Sequence, residues 1–349
     1  MSTFYKLKIQ EVQRLTPEAV MLSFAVPADL HTAYQYNAGQ YVTLKCTLDG
    51  QEVRRAYSLC SAPDSGLWQV GIKAVKGGSF SVFANQQLQA GQLLEVGVPE
   101  GRFTFEPKAD KQRHLMAIAA GSGITPILSI VKSLLQHEPQ SAITLVYGNK
   151  NAEGAMFLSE LNALSQQYVG RFYLKLAYSQ AQVSGAHHGR IDSALINALC
   201  FETAGAPHYD AFYLCGPEAM IQNVSAGLTA HNVPEKKIHF ELFSTGGTTE
   251  APAEVQGHSQ AVFTVDGVTT HIEMSQKQTL LEAALKHGID APYSCQGGIC
   301  SSCLARVTEG QAVMKKNAIL TDSEVAEGLV LTCQAHPTTA QIAVDYDDV

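Results

Sequence analysis

The stretch Cys295-Gln296-Gly297-Gly298-Ile299-Cys300-Ser301-Ser302-Cys303 reads C-x4-C-x2-C, and a fourth cysteine, Cys333, follows after 29 intervening residues. This is the ligand spacing of a [2Fe–2S] centre, in which four thiolates hold two irons. Gly297 and Gly298 let the backbone wrap closely without Cβ clashes. Ser301 and Ser302 bring hydroxyl and N–H groups near the sulfurs, where such groups tune a reduction potential. A chain carrying this centre moves electrons one at a time. Clustered cysteines also occur in zinc sites and disulfide frameworks. Zinc sites usually show two C-x2-C pairs or histidine partners, and here there is one C-x2-C. A disulfide framework needs an oxidising compartment. The start Met1-Ser2-Thr3-Phe4-Tyr5-Lys6 lacks the charged-then-apolar layout of a signal peptide, so a cytoplasmic location with reduced thiols is expected. The remaining cysteines, Cys46, Cys60, Cys200 and Cys215, are scattered and read as small apolar groups rather than bridges.

The chain has 349 residues, enough for two or three domains, and no apolar run approaches the length of a membrane span. The net charge of −8 is uneven: the segment 261–349 carries 11 acidic and 5 basic residues. That surface would repel nucleic acid. It suits either a basic protein partner or simple solubility.

Working back from the cysteine loop, Thr279 is placed to cap a helix at 280–287, stopped by Gly288. Asp266-Gly267 marks a hairpin between 263–265 and 268–274. Residues 244–260, beginning Ser244-Thr245-Gly246-Gly247, read as a linker. From 110 to 243 strand-like runs (115–120, 142–147, 172–177, 211–214) alternate with helical ones (126–135, 218–231), which predicts a parallel, doubly wound sheet. From 1 to 109 short strands with turn signals predict an antiparallel barrel or sandwich, with Asp49-Gly50 joining one hairpin. His187-His188 reads as loop, and the histidines show no zinc-type motif. The expected organisation is thus 1–109, 110–243, a linker over 244–260, and 261–349.

Several motifs carry chemistry. In Arg55-Ala56-Tyr57-Ser58 an arginine can neutralise a pyrophosphate and a tyrosine can stack on a flat ring. Gly77-Gly78-Ser79-Phe80-Ser81 leads from a strand into a helix, a natural phosphate cradle. Gly97-Val98-Pro99-Glu100-Gly101-Arg102-Phe103 reads as the end of the barrel. Ala119-Ala120-Gly121-Ser122-Gly123-Ile124-Thr125-Pro126 turns from strand to helix, but proline replaces the last glycine of G-x-G-x-x-G. Tyr147-Gly148-Asn149-Lys150 and Cys215-Gly216-Pro217-Glu218 lie at later strand ends, where such sheets bind ligands. Each alone is also an ordinary turn.

Together these pieces resemble the ferredoxin–NADP reductase superfamily. R-x-Y-S, G-G-x-x-S, the G-S-G-I-T-P turn and C-G-P stand in its order, and the C-terminal cysteine module narrows the likeness to the oxygenase reductases. The resemblance covers nearly the whole chain. It implies a multidomain α+β protein: an antiparallel β-barrel binding FAD, a doubly wound α/β nicotinamide domain, and a β-grasp [2Fe–2S] ferredoxin domain. It implies that Arg55, Tyr57 and Ser58 contact the flavin, with Ser58 near N5. Gly78, Ser79 and Ser81 would hold the pyrophosphate, and Lys73 would join the cofactor contacts. Gly121, Gly123 and Thr125 would border the nicotinamide, and Cys215, Gly216 and Pro217 the hydride path. Tyr57, Ser58, Thr125 and Cys215 are the candidate catalytic residues, and Cys295, Cys300, Cys303 and Cys333 the metal ligands. Lys150 and Arg190 are candidates for the 2′-phosphate of NADPH, against a bland reading as solvated charges. Lysine at 150 lacks the forked contact of arginine, so NADH stays open. The implied activity passes electrons from NADPH through FAD and the cluster to a terminal oxygenase, a di-iron protein, with neither nucleic acid nor membrane as partner. Rieske dioxygenases and steroid hydroxylases are other acceptors within the group. A rival of another class is a ferredoxin-type carrier or redox sensor whose nucleotide domain has lost catalysis.

Overall fold

Along the first strand, Leu7 and Ile9 are buried while Lys6, Lys8 and Gln10 face solvent, the period-two pattern of a strand with one face on a core. This strand, β1 (Phe4–Thr16), pairs antiparallel with β2 (Ala19–Ala25). β3 (Tyr41–Leu48), β4 (Gln51–Ser58), β5 (Trp68–Lys73) and β6 (Leu93–Gly97) complete a six-stranded sheet of order β4-β3-β6-β1-β2-β5. A bridge between Leu59 and Val70 joins its two edges, so the sheet closes into a barrel. Asp49 and Gly50 sit at φ +50° and +75°, as a tight hairpin between β3 and β4 requires. Helix α1 (Ser79–Gln86) follows β5. The computed structural model describes residues 3–203, 205, 207–243, 257–317 and 319–349.

The apolar runs of the middle segment become a parallel sheet. β7 (His114–Ala120) leads through a single 3₁₀ turn, Gly121–Gly123, into α2 (Ile124–His137). Then come β8 (Ala142–Asn149), α3 (Leu158–Gln167), β9 (Phe172–Tyr178), β10 (His187–His188), α4 (Ser193–Asn197), β11 (Ala211–Gly216), α5 (Glu218–Ala230) and β12 (Ile238–Leu242). The order is β10-β9-β8-β7-β11-β12, all parallel. Chain direction across the sheet reverses between β7 and β11, and ligands of such sheets bind outside the strand C-ends at that reversal. His187-His188, expected as loop, is a short edge strand because it hydrogen-bonds alongside Ala177 and Tyr178.

Barrel and parallel sheet share one body, which carries Phe4–Val53 and Tyr57–Phe243. The physical reason is a common core: Ala19, Met21, Ala38, Cys60, Phe103 and Phe105 of the barrel are buried in one cluster with residues of β7, α2, β8 and β11. The buried Glu138 braces the connection, accepting from Lys108 N at 2.9 Å and Arg113 Nε at 3.0 Å. Burial works to raise its pKa, but these bonds win and hold the carboxyl below its ordinary value.

The C-terminal module is a second body. β13 (His258–Val265) and β14 (Val268–Ser275) form the hairpin expected at Asp266-Gly267. Its first strand starts at His258, within the stretch assigned to the linker, and 244–256 lie outside the described residues. Helix α6 (Leu280–Lys286) begins with a full capping box: Thr279 Oγ1 accepts from Glu282 N and the Glu282 carboxylate accepts from Thr279 N. β15 (Leu304–Glu309), β16 (Ala312–Met314), α7 (Asp322–Ala326), β17 (Leu329–Leu331), β18 (Ala335–Pro337) and β19 (Gln341–Asp345) follow. The mixed sheet runs β14-β13-β19-β15-β17, with β13 and β19 parallel. Among the described residues no helix is long and apolar enough to cross a membrane.

Candidate active site and metal centre

Two turns converge at the reversal point of the parallel sheet. The 3₁₀ turn after β7 carries Gly121, which sits at φ +57°, and Gly123. Gly123 lies so close to the end of β11 that a Cβ there would stand 2.2 Å from the Cys215 carbonyl oxygen. Only glycine permits that approach, and it places Gly123 beside Cys215, Gly216 and Pro217. Thr125 donates from Oγ1 to Ser122 O at 3.1 Å, and buried Tyr147 donates to Gly121 O at 3.1 Å; both hold the turn. Thr125 also packs towards the barrel, since a Cβ on Gly71 of β5 would meet its methyl at 2.8 Å. The Cys215 thiol is fully buried and its pKa is pushed well up, by desolvation first and by the nearby Glu241 second.

Glu241 on β12 was not among the residues singled out from the sequence. Ser58, at the end of β4, donates to its Oε2 at 3.3 Å across 183 residues of chain. Glu241 keeps some solvent exposure, yet its carboxyl is closely surrounded by protein. That desolvation pushes it up to about 8, partly opposed by the Ser58 hydroxyl. The protonated form therefore predominates at neutral pH. Ser58, Cys215 and Glu241 thus form one cluster of hydroxyl, thiol and carboxyl. No glycine or spacing marks Glu241; it emerges only because β12 pairs with β11, with Glu241 opposite Cys215.

On the barrel, the Tyr57 ring lies 5.6 Å from the Phe80 ring at a tilt of 36°, so α1 supports it. Arg55 is exposed on the same strand, and its Nη1 donates to Arg54 O at 2.7 Å. Gly78 is the N-cap of α1 and no side chain caps that first turn. A Cβ on Gly78 would meet Ser81 Oγ at 2.6 Å, so the backbone is bare where a phosphate would approach. Ser79 opens the helix, while Ser81 Oγ accepts from Val75 N at 3.1 Å and shapes the turn. Lys73 ends β5 just before it. These features fit a flavin with its pyrophosphate at α1.

Lys150 and Arg190 are both exposed at the C-terminal edge of the parallel sheet. Gln180 N donates to Lys150 O, and Gly189 N to Tyr178 O, both at 2.9 Å, so the residues flank the end of β9 on either side. Ile191 packs over the end of β8, where a Cβ on Gly148 would stand 2.9 Å from its Cδ1.

In the C-terminal body the four cysteines interact with one another. The Cys300 thiol hydrogen-bonds to Cys295, which with nearby backbone amides lowers the Cys295 pKa against the opposing effect of burial. A hydrogen bond from Cys303 likewise lowers Cys333. Gly297 N donates to Cys295 Sγ at 3.3 Å. Gln296 and Gly298 take φ +52° and +71°; at Gly298 a Cβ would meet Lys316 O and Gln334 Cγ, each at 2.9 Å. Thr332, through N and Oγ1, donates to Cys303 O and holds Cys303 beside Cys333. The set of four sulfurs ringed by backbone donors fits a cluster held by thiolates.

A barrel with a bare-backbone helix start, a parallel sheet with a crevice at its reversal and a four-cysteine loop together define a flavin- and nicotinamide-dependent oxidoreductase with an iron–sulfur module. Comparison with known proteins agrees. Residues 6–105 match the oxidoreductase FAD-binding domain, 117–226 the oxidoreductase NAD-binding domain, and 263–338 the 2Fe-2S iron-sulfur cluster binding domain. The chain is 41% identical over 352 residues to a 1,2-phenylacetyl-CoA epoxidase subunit of Escherichia coli (strain K12), covering 99% of each. It is 33% identical to the ferredoxin reductase component of 3-ketosteroid-9-alpha-monooxygenase of Rhodococcus rhodochrous, over 97% of this chain and 96% of that one. Its fold is similar to that of phthalate dioxygenase reductase, with a TM-score of 0.63 at 23% identity and 98% coverage of both chains. The chain belongs to the ferredoxin–NADP reductase family, in its oxygenase-reductase branch with FAD, NAD-binding and C-terminal [2Fe–2S] domains.

Proposed function

We propose that this chain is the reductase of a phenylacetyl-CoA epoxidase, taking electrons from NADPH and delivering them to a di-iron oxygenase partner in the cytoplasm. The observation that carries the reading is 41% identity over 99% of the chain to a phenylacetyl-CoA epoxidase subunit, with all three domain families matched. The redox chemistry, hydride donation followed by single-electron transfer, would be supplied by the bound nicotinamide, FAD and cluster.

The chain's own residues do the rest. Tyr57, backed by Phe80, offers a flat surface for the flavin ring, Gly78, Ser79 and Ser81 offer a helix start for its pyrophosphate, and Arg55 is the charge proposed to neutralise it. Gly121, Gly123 and Thr125 open the crevice to the nicotinamide, and Cys215, Gly216 and Pro217 form the wall adjoining them. Ser58 and protonated Glu241 present a proton-bearing, uncharged pair at that wall. Lys150 and Arg190 place positive charge where a 2′-phosphate would lie, which favours NADPH. Cys295, Cys300, Cys303 and Cys333 hold the cluster. Modules at 1–109, 110–243 and 261–349 fit these roles.

The test is NADPH-dependent oxygen uptake with phenylacetyl-CoA and the purified oxygenase, with cytochrome c reduction in parallel. Substrate-dependent uptake is expected. Cytochrome c reduction without uptake would keep the reductase and remove phenylacetyl-CoA in favour of another acceptor such as a steroid hydroxylase. NADH outperforming NADPH would remove the role given to Lys150 and Arg190.

A further inference from the structure

Helix α2 carries the nicotinamide turn at its N-terminus, and along its flank it holds the chain that leaves the flavin strand. β4 ends at Ser58, and the next residues, Leu59 to Asp64, run beside α2. Ser129, fully buried, donates from Oγ to Ser61 O at 2.7 Å. Lys132 donates from Nζ to Cys60 O at 3.2 Å and pairs with Glu160 of α3 at 2.6 Å, its side chain only 15% exposed. Further out, His137 meets Asp64 at 2.9 Å, but both are well exposed, so that contact contributes little. Ser61 is tied into the barrel in turn: its Oγ donates to Leu67 O at 2.6 Å, and Tyr36 donates to Ser61 O at 3.1 Å.

These polar groups sit in a mostly apolar buried face: besides Thr125 and Ser133, α2 buries Ile127, Leu128, Ile130, Val131, Leu134 and Leu135, all in the shared core. Apolar side chains at 129 and 132 would bury similar area without desolvating a hydroxyl and an ammonium. Hydrogen bonds to two successive carbonyls add a directional constraint to that packing and admit one register. Neither residue approaches the crevice itself. From Thr125 the helix rises about 6 Å to Ser129 and about 10 Å to Lys132. On the other side, Cys60 follows Ser58 by two residues. The lever between the two reacting partners is therefore short and rigid at both ends.

We infer that Ser129 and Lys132 are positioning residues for hydride transfer: their bonds to the Ser61 and Cys60 carbonyls set the distance between the flavin strand and the nicotinamide turn. This rests on the NADPH-to-FAD reading above and adds to it which residues fix the geometry of that step. Hydride transfer is sharply sensitive to donor–acceptor separation, so a small slip of α2 along the 59–64 segment slows the step without altering nucleotide contacts.

The experiment uses the full chain loaded with FAD and cluster. Flavin reduction is followed by anaerobic stopped flow over a range of NADPH concentrations, with NADPH and its 4-deuterated form. For Lys132→Met the limiting rate is expected to fall ~10-fold while the nucleotide Kd stays within ~2-fold and the deuterium isotope effect rises, in keeping with a misplacement of well under 1 Å. Lys132→Arg should recover most of the rate, because it keeps charge and donors. Ser129→Ala should show the same pattern more weakly, at FAD content equal to the unmodified chain. Unchanged limiting rates and isotope effects in Lys132→Met and Ser129→Ala would overturn the inference, as would a change confined to Kd. If Lys132→Met loses its flavin, Ser129→Ala and Lys132→Arg decide: an unchanged rate in Ser129→Ala counts against it. An unmodified chain whose flavin neither NADPH nor NADH reduces would instead sink the functional reading on which this rests.

Discussion

Glu241 is the residue next to Ser58 and Cys215 whose charge changes near neutral pH. Its carboxyl is pushed up to about 8 because it is desolvated beside Cys215, and the Ser58 hydrogen bond offsets only some of that. A folded-state value above the ordinary one means the folded chain grips this proton more tightly than the unfolded chain. The associated stability is complete in acid and is lost as pH rises from the ordinary carboxylate range through about 8. Ionisation also adds negative charge beside a site that receives a hydride, which opposes the reaction. Flavin reduction by NADPH is thus expected to decline through about pH 8 in the unmodified chain and to lose that limb in Glu241→Gln. Thermal melting across the same range should show a matching loss of pH dependence. A limb that persists in Glu241→Gln would assign it to another group.

At the scale of elements, the turn from β7 into α2 and the end of β11 are in near contact, and Gly123 is what allows it. A Cβ at this position would lie 2.2 Å from Cys215 O and 2.8 Å from Gly216 N, both backbone atoms that cannot swing aside. Gly123→Ala must therefore push apart the strand ends that line the crevice. Overpacking of this kind costs about 1–3 kcal/mol, and a lowered melting temperature is expected together with a strong loss of NADPH turnover. Calorimetry and ferricyanide reduction check the two effects, and a variant matching the parent in both would show that the turn relaxes more freely than its geometry implies. The G-S-G-I-T-P turn was legible as a ligand-binding turn from its glycines and its place between strand and helix. What it packs against was not, because Cys215 comes 92 residues later.

At the scale of the whole molecule, barrel and parallel sheet share a core and act as one body, while the four-cysteine module folds around its own core. Separate cores allow one function to be removed without the other. Cys300→Ser should abolish the visible absorbance of the cluster and bring cytochrome c reduction to background, while NADPH-driven ferricyanide reduction continues through the flavin. Retained cytochrome c reduction would mean that electrons leave the chain from the flavin directly.

The sequence by itself was sufficient for what local chemistry specifies. Cysteine spacing announced the cluster loop, and strand–helix alternation announced the parallel sheet. Asp-Gly pairs at 49–50 and 266–267 placed two hairpins that the structure has, with φ values that such turns demand. These signals are legible because they come from neighbours in the chain. Tertiary structure alone decided the rest: that Ser58 meets Glu241 and Gly123 meets Cys215. It also decided that Phe103 and Phe105 pack against Tyr213 of β11, and that Ser129 and Lys132 clasp the segment after the flavin strand. Each of these joins residues far apart in sequence, and periodicity records which face of an element is apolar but not which distant face will cover it. Glu241 illustrates the limit most plainly, since a glutamate in His239-Phe240-Glu241-Leu242-Phe243 looks like any strand residue until the pairing of β11 and β12 sets its carboxyl beside a thiol and desolvation raises its pKa.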